Sequence, residues 1–70
     1  MIELNQKYRV SPAFTKTNVE TSKTMVGRVV YIHPEARYAV LEFEGFAGVA
    51  RESFYLEQLT EANRVGKKKY

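Results

Sequence analysis

The sequence predicts a mainly β fold: a small antiparallel barrel or strongly bent meander of about four to five short strands, ending in a short helix. Three observations carry this expectation. Two runs rich in Val, Ile, Tyr and Phe, Met25 to His33 (MVGRVVYIH) and Arg37 to Glu44 (RYAVLEFE), are separated only by Pro34-Glu35-Ala36, which is the composition and spacing of a hairpin. A third run, Gly48 to Phe54 (GVARESF), follows the glycine-bearing connection Gly45-Phe46-Ala47-Gly48 and extends the hairpin to a meander. A chain of 70 residues also holds material for only one small core.

The remaining elements are shorter. Lys7 to Val10 (KYRV) reads as a first strand that stops at Ser11-Pro12, because proline cannot donate to a ladder. Pro12 to Thr24 is polar, with four threonines and only Phe14 and Val19 as apolar anchors. It reads as a long loop, and loops of that length are functional or partly strand-forming. Tyr55 to Arg64 (YLEQLTEANR) sets Tyr55, Leu56 and Leu59 on one side at helical spacing, with Gly66 as a stop. Residues 1–66 are thus expected to form one domain, and Lys67, Lys68, Lys69 and Tyr70 a basic flexible tail.

Composition narrows the function classes. The chain has no cysteine, which excludes disulfides and thiolate metal sites and suits a reducing cytoplasm. No apolar run approaches the ~18 residues of a spanning helix, and MIELNQKY lacks the blocks of a signal peptide. A cytoplasmic protein with no membrane association is expected. The net charge of +3 comes from 11 basic and 8 acidic residues, and the tail lysines account for the whole excess. Nucleic-acid binders usually carry their excess on a face of the domain.

The hairpin register can be read from side-chain charge and size. A three-residue loop, with His33 opposite Arg37, sets Ile32 beside Tyr38, Val30 beside Val40 and Arg28 beside Glu42 on one face. Tyr31 with Ala39, Val29 with Leu41 and Gly27 with Phe43 then share the other. A four-residue loop would instead oppose Arg28 to Phe43 and Val29 to Glu42. The first register pairs opposite charges across strands and is favoured. Both faces are then largely apolar, so both need a cover. Val29, Leu41 and Phe43 are expected inside, while Phe14, Leu56 and Leu59, or a second subunit, would cover Val30, Ile32, Tyr38 and Val40.

The block MVGRVVYIHPEARYAVLEF resembles the ending of small Src-homology-3-like barrels of the KOW type, in which a glycine precedes a V-x-x-I strand, a short polar turn and a V-x-F strand. It is also similar to short proteins of Firmicute phages and prophages that carry a GRVVYIHPE-x-R hairpin and an RESF strand, here Arg51-Glu52-Ser53-Phe54. The resemblance covers Val26 to Phe54. It implies a small barrel in a phage setting, and the KOW likeness implies nucleic-acid binding.

No catalytic constellation emerges. His33 is the only histidine and has no second ligand for a metal and no nucleophile beside it, so its place at the tip reads as structural. Glu42, Glu44 and Glu52 lie on adjacent strands as paired carboxylates would, but Arg28 and Arg51 make ion pairing the simpler reading. No enzyme activity and no cofactor are expected. The first functional expectation is a non-catalytic module that binds a protein, a host factor or its own copy, through Ile32, Tyr38, Val40 and Phe46 with Glu35 and Arg37 at the rim. The alternative is a nucleic-acid-binding barrel using Lys16, Lys23, Arg28, Arg37, Arg51 and the tail Lys67, Lys68 and Lys69. Tyr8, Tyr31, Tyr38, Phe43, Phe46, Phe54 and Tyr55 would supply a stacking platform for single-stranded nucleic acid if two or three of them faced solvent beside Arg28, Arg37 and Arg51.

Overall fold

A computed structural model describes residues 2–13, 24–45 and 48–66. The described residues form a mainly β structure: β1 (Lys7–Val10), β2 (Met25–Ile32), β3 (Tyr38–Gly45), β4 (Gly48–Tyr55), 3-10 turns at Leu56–Gln58 and Glu61–Asn63, and β5 (Arg64–Val65). The five strands make one antiparallel sheet in the order β4-β3-β2-β1-β5. The sheet is not closed, since β4 and β5 are its two edges. The Thr-rich segment from Phe14 to Lys23 and the tail lie outside the described residues.

The alternation of each strand places the core on one face. Tyr8 and Val10 of β1, Val29 of β2, Ala39, Leu41 and Phe43 of β3 and Phe54 of β4 are buried, and Leu59 joins them from beyond β4. Ile2, Met25, Ile32 and Leu56 pack against this cluster. Leu56 and Leu59 therefore add to the Val29–Leu41–Phe43 side instead of covering the opposite one, which corrects the expected arrangement. Gly27 sits under the Phe43 ring, where a Cβ would come within 2.5 Å of Phe43 Cε2.

The hairpin uses neither expected register throughout. Arg28 pairs with Glu42 and Val29 with Leu41, as the three-residue loop requires, but Tyr31 pairs with Val40 and Ile32 with Ala39. Between these pairs β2 advances two residues while β3 advances one, so Val30 is a bulge without a partner. The loop is correspondingly one residue longer than expected. His33 N–H donates to Tyr38 O at 2.9 Å, and Ala36 N–H closes a turn onto His33 O at 2.8 Å. Pro34 takes the first corner, where its fixed φ is suited, and Ala36 takes a left-handed conformation with φ 56°.

The bulge exchanges the faces of the residues beyond it. Ile32, expected outside with Tyr38, packs on the core beside buried Ala39, and Tyr31, expected inside, turns outward and is 44% exposed. A β-bulge re-aims side chains in this way because strand alternation is strictly twofold.

The expected C-terminal helix is replaced by two single 3-10 turns. The Gln58 side chain accepts from Tyr55 N–H at 2.9 Å and Asn63 Oδ1 from Thr60 N–H at 2.8 Å, so each turn is closed by its own side chain. Buried Leu59 sits between them, and the second turn delivers Arg64 and Val65 to β1, opposite Tyr8 and Lys7.

Candidate binding face

The face of the sheet opposite the core collects the alternate residues of every strand. Its tip half carries Tyr31 of β2, Tyr38 and Val40 of β3, and Ser53 and Tyr55 of β4. Tyr38 is directly paired with Tyr55 and Val40 with Ser53 and Tyr31. Tyr55 is 66% exposed. The Tyr31 and Tyr38 rings have centroids 6.2 Å apart at a tilt of 41°, and the His33 and Tyr38 ring centroids are 4.9 Å apart. His33 Nδ1 accepts from Glu35 N–H at 3.1 Å, so a neutral ring carries its proton on Nε2.

The other half carries charge. Register places Lys7, Arg28, Glu42 and Arg51 in one row across β1, β2, β3 and β4. Glu42 Oε1 accepts from Arg28 Nη2 at 3.0 Å, and its Oε2 accepts from Arg51 Nε and lies 2.9 Å from Arg51 Nη2. Arg28 Nη1 also donates to Asn5 Oδ1 at 2.8 Å. The hydrogen bond from Arg51 is the main reason the Glu42 carboxyl is held below the ordinary glutamate range, with Arg28 adding to it against a smaller cost of burial. A shallow recess of about 320 Å³ lies beside this row, lined by Lys7, Val26, Gly27, Arg28, Glu42 and Glu44.

Charge is sorted between the faces. Lys7, Arg9, Arg28 and Arg51 stand on this face against Glu42 and Glu44. Glu52 belongs to the core side, where both its carboxylate oxygens accept from Ala13 N–H, at 3.0 and 2.9 Å. Glu61 pairs with Arg64 of the edge strand β5 at 3.2 Å. The three acids expected to gather on adjacent strands thus divide between an arginine clamp, a backbone cap and the rim of the recess. Among the described residues no group of three His, Cys, Asp or Glu is placed to hold a metal ion.

Of the residues expected in a protein-binding patch, Tyr38 and Val40 share this face and both are half-buried. Ile32 does not, for the reason given above. Glu35 and Arg37 pair with each other at 3.1 Å at the exposed tip, away from the arginine row. Phe46 lies outside the described residues. Of the expected nucleic-acid contacts, Arg28 and Arg51 are brought together through Glu42, Arg37 stands apart at the tip, and Lys16, Lys23, Lys67, Lys68 and Lys69 lie outside the described residues. Sequence reading counted Tyr31 and Tyr55 among the aromatics of a stacking platform without singling them out, and it missed Lys7 and Arg9. The alternation of β4, carried one residue past Phe54, would have turned Tyr55 outward, whereas the bulge that turns Tyr31 leaves no mark in VVYI.

Comparison with family models, curated proteins and solved structures finds no match. No helix among the described residues is long and apolar enough to cross a membrane.

Proposed function

We propose that the protein is a non-catalytic module that binds nucleic acid on the outer face of its sheet. The observation that carries this reading is the meeting of Tyr31, Tyr38 and Tyr55 on one face, bordered by the row of Lys7, Arg28 and Arg51. Aromatic rings offer base-stacking surface and cations neutralise phosphates, the two components of sequence-tolerant binding. The resemblance to KOW-type barrels points the same way. A meander whose last strand returns to its first supports the Src-homology-3-like reading of the fold, although the sheet stays open between β4 and β5.

Fluorescence anisotropy with a labelled oligonucleotide tests the reading. Three phosphate contacts at about −0.7 each give a slope of log affinity on log salt near −2 for a single strand. Binding should persist when Lys67, Lys68 and Lys69 are replaced by alanine. A flat salt response, or loss of all binding with those lysines, rules the face out as the site.

Docking of a protein, a host factor or a second copy, is the second reading. It is supported by Val26 and Val49, 37% and 63% exposed beside the same face. It has fewer anchors than the sequence promised, because Ile32 faces the core.

A further inference from the structure

Resting on that reading, we infer that the outer face takes its nucleic acid as a single strand laid across the β-strands, with unpaired bases on the tyrosines and phosphates along the Lys7–Arg28–Arg51 row. Four features lead to this orientation and to the exclusion of duplex.

The two rows run the same way. Tyr55 and Tyr38 pair directly across β4 and β3, Tyr31 follows on β2 one outward-facing position nearer the charged row, opposite Val40, and Arg51, Glu42, Arg28 and Lys7 pair directly from β4 to β1. Neighbouring strands lie about 4.8 Å apart, so the charged row spans about 14 Å. Tyr38 and Glu42 are separated along β3 by about 13 Å at 3.2–3.4 Å per residue. Val40 and Ser53 occupy the sheet between the two levels, with the tyrosines bordering them on one side and the charged row on the other. A chain whose bases and phosphates project to opposite sides fits when it runs parallel to both rows.

The Tyr31 and Tyr38 rings pack against each other as a tilted pair and do not continue a regular base stack. Successive bases of a regular stack rise about 3.4 Å, whereas the Tyr31 and Tyr38 centroids are 6.2 Å apart and tilted by 41°. Stacking on a protein ring also requires a free base face, which paired and stacked bases do not offer. A duplex offers this face its phosphates but not the flat faces of its bases, which stay stacked within the helix.

The arginines are held before any ligand arrives. Glu42 occupies both guanidinium groups, and Asn5 fixes Arg28 from the other side. Arg51 nevertheless stays open, with its side chain 65% exposed, so donors beyond those engaged by Glu42 face outward. Glu42 thereby acts as a positioning residue in the cationic row and not as its competitor.

The acids that would repel a strand elsewhere are kept off this path. Glu52 is tied to Ala13 on the core side, and Glu35 is paired with Arg37 at the tip. Of the acids on the outer face, Glu42 is clamped by Arg28 and Arg51, and Glu44 lies beyond the charged row on the side away from the tyrosines.

Anisotropy competition on the full chain tests the inference, using a labelled oligothymidylate of about 12 nucleotides displaced by the same strand, by its duplex with oligoadenylate, and by heparin. The single strand is expected to compete at least about tenfold better than either rival. Tyr31→Ala and Tyr55→Ala are expected to weaken binding about tenfold each with the salt slope unchanged, and Tyr55→Phe to retain it. Arg51→Ala should flatten the slope by about 0.7. Equal competition by duplex or heparin, or indifference to both tyrosine substitutions, overturns the single-strand inference while leaving nucleic-acid binding in place. Failure to bind any of the three overturns both, and capture of a protein by the same face in that case would assign it to the second reading.

Discussion

Gly27 of β2 lies directly beneath Phe43 of β3, so close that a Cβ would sit 2.5 Å from Cε2 and 2.7 Å from Cζ of the ring. The ring is only 1% exposed and packs edge-on to Phe54 with centroids 6.0 Å apart, so it has no free space into which to retreat. Gly27→Ala is therefore expected to destabilise the fold by about 1–3 kcal/mol, the range for overpacking a filled core. Urea unfolding measures it. Adding Phe43→Leu to Gly27→Ala should cost less than the sum of the two single changes, because the smaller side chain relieves the contact.

Ala36 holds a left-handed conformation that disfavours every residue with a Cβ. Ala36→Gly removes that strain at the price of a looser unfolded chain, and is expected to stabilise the protein by about 0.5–1 kcal/mol. The thermal midpoint should rise. A fall would mean that the tip does not form the four-residue loop closed by His33 and Tyr38.

Phe54 and Tyr55 are adjacent in sequence and opposite in role. Phe54 is 6% exposed and Tyr55 66%. Phe54→Ala is expected to cost about 3–5 kcal/mol, while Tyr55→Ala should change stability by no more than about 0.5 kcal/mol. Equal losses on urea unfolding would show that Tyr55 is packed, and the outer face would lose its most open ring.

The Glu42 carboxyl titrates below its ordinary value of 4.5 because Arg51 and then Arg28 favour its charged form. A depressed pKa in the folded state means that the unfolded chain binds the proton first, so the contribution is whole above the ordinary glutamate range and is lost as pH falls from there through the lowered value of the folded state. Between pH 6 and 3 the wild-type urea midpoint should fall more than that of Glu42→Gln. Parallel curves would remove the arginine clamp from the account.

Much of this arrangement was legible in the sequence. The Val- and Tyr-rich runs on either side of Pro34 specified the hairpin, and the opposite charges of Arg28 and Glu42 specified its register far from the tip. The parity of Tyr31 and Ile32 was not legible, because Val29 and Val30 are equally suited to a core and no polar residue marks which one is extra. The two-residue β5 is too short to leave a pattern. Tyr55, Leu56 and Leu59 fit a helix as well as a strand end followed by a 3-10 turn, and only the side-chain closures by Gln58 and Asn63 separate the two. The tyrosine face was weighed in outline but could not be assembled, since its assembly depends on the bulge.

The most direct test of the outer face is an amide chemical-shift titration of the full chain with an oligothymidylate of about 12 nucleotides. Shifts are expected to concentrate at Tyr31, Tyr38, Val40, Arg51, Ser53 and Tyr55, with the core-side residues Val29, Leu41 and Phe54 less affected. Shifts confined to residues 67–70, or none at millimolar ligand, would contradict it.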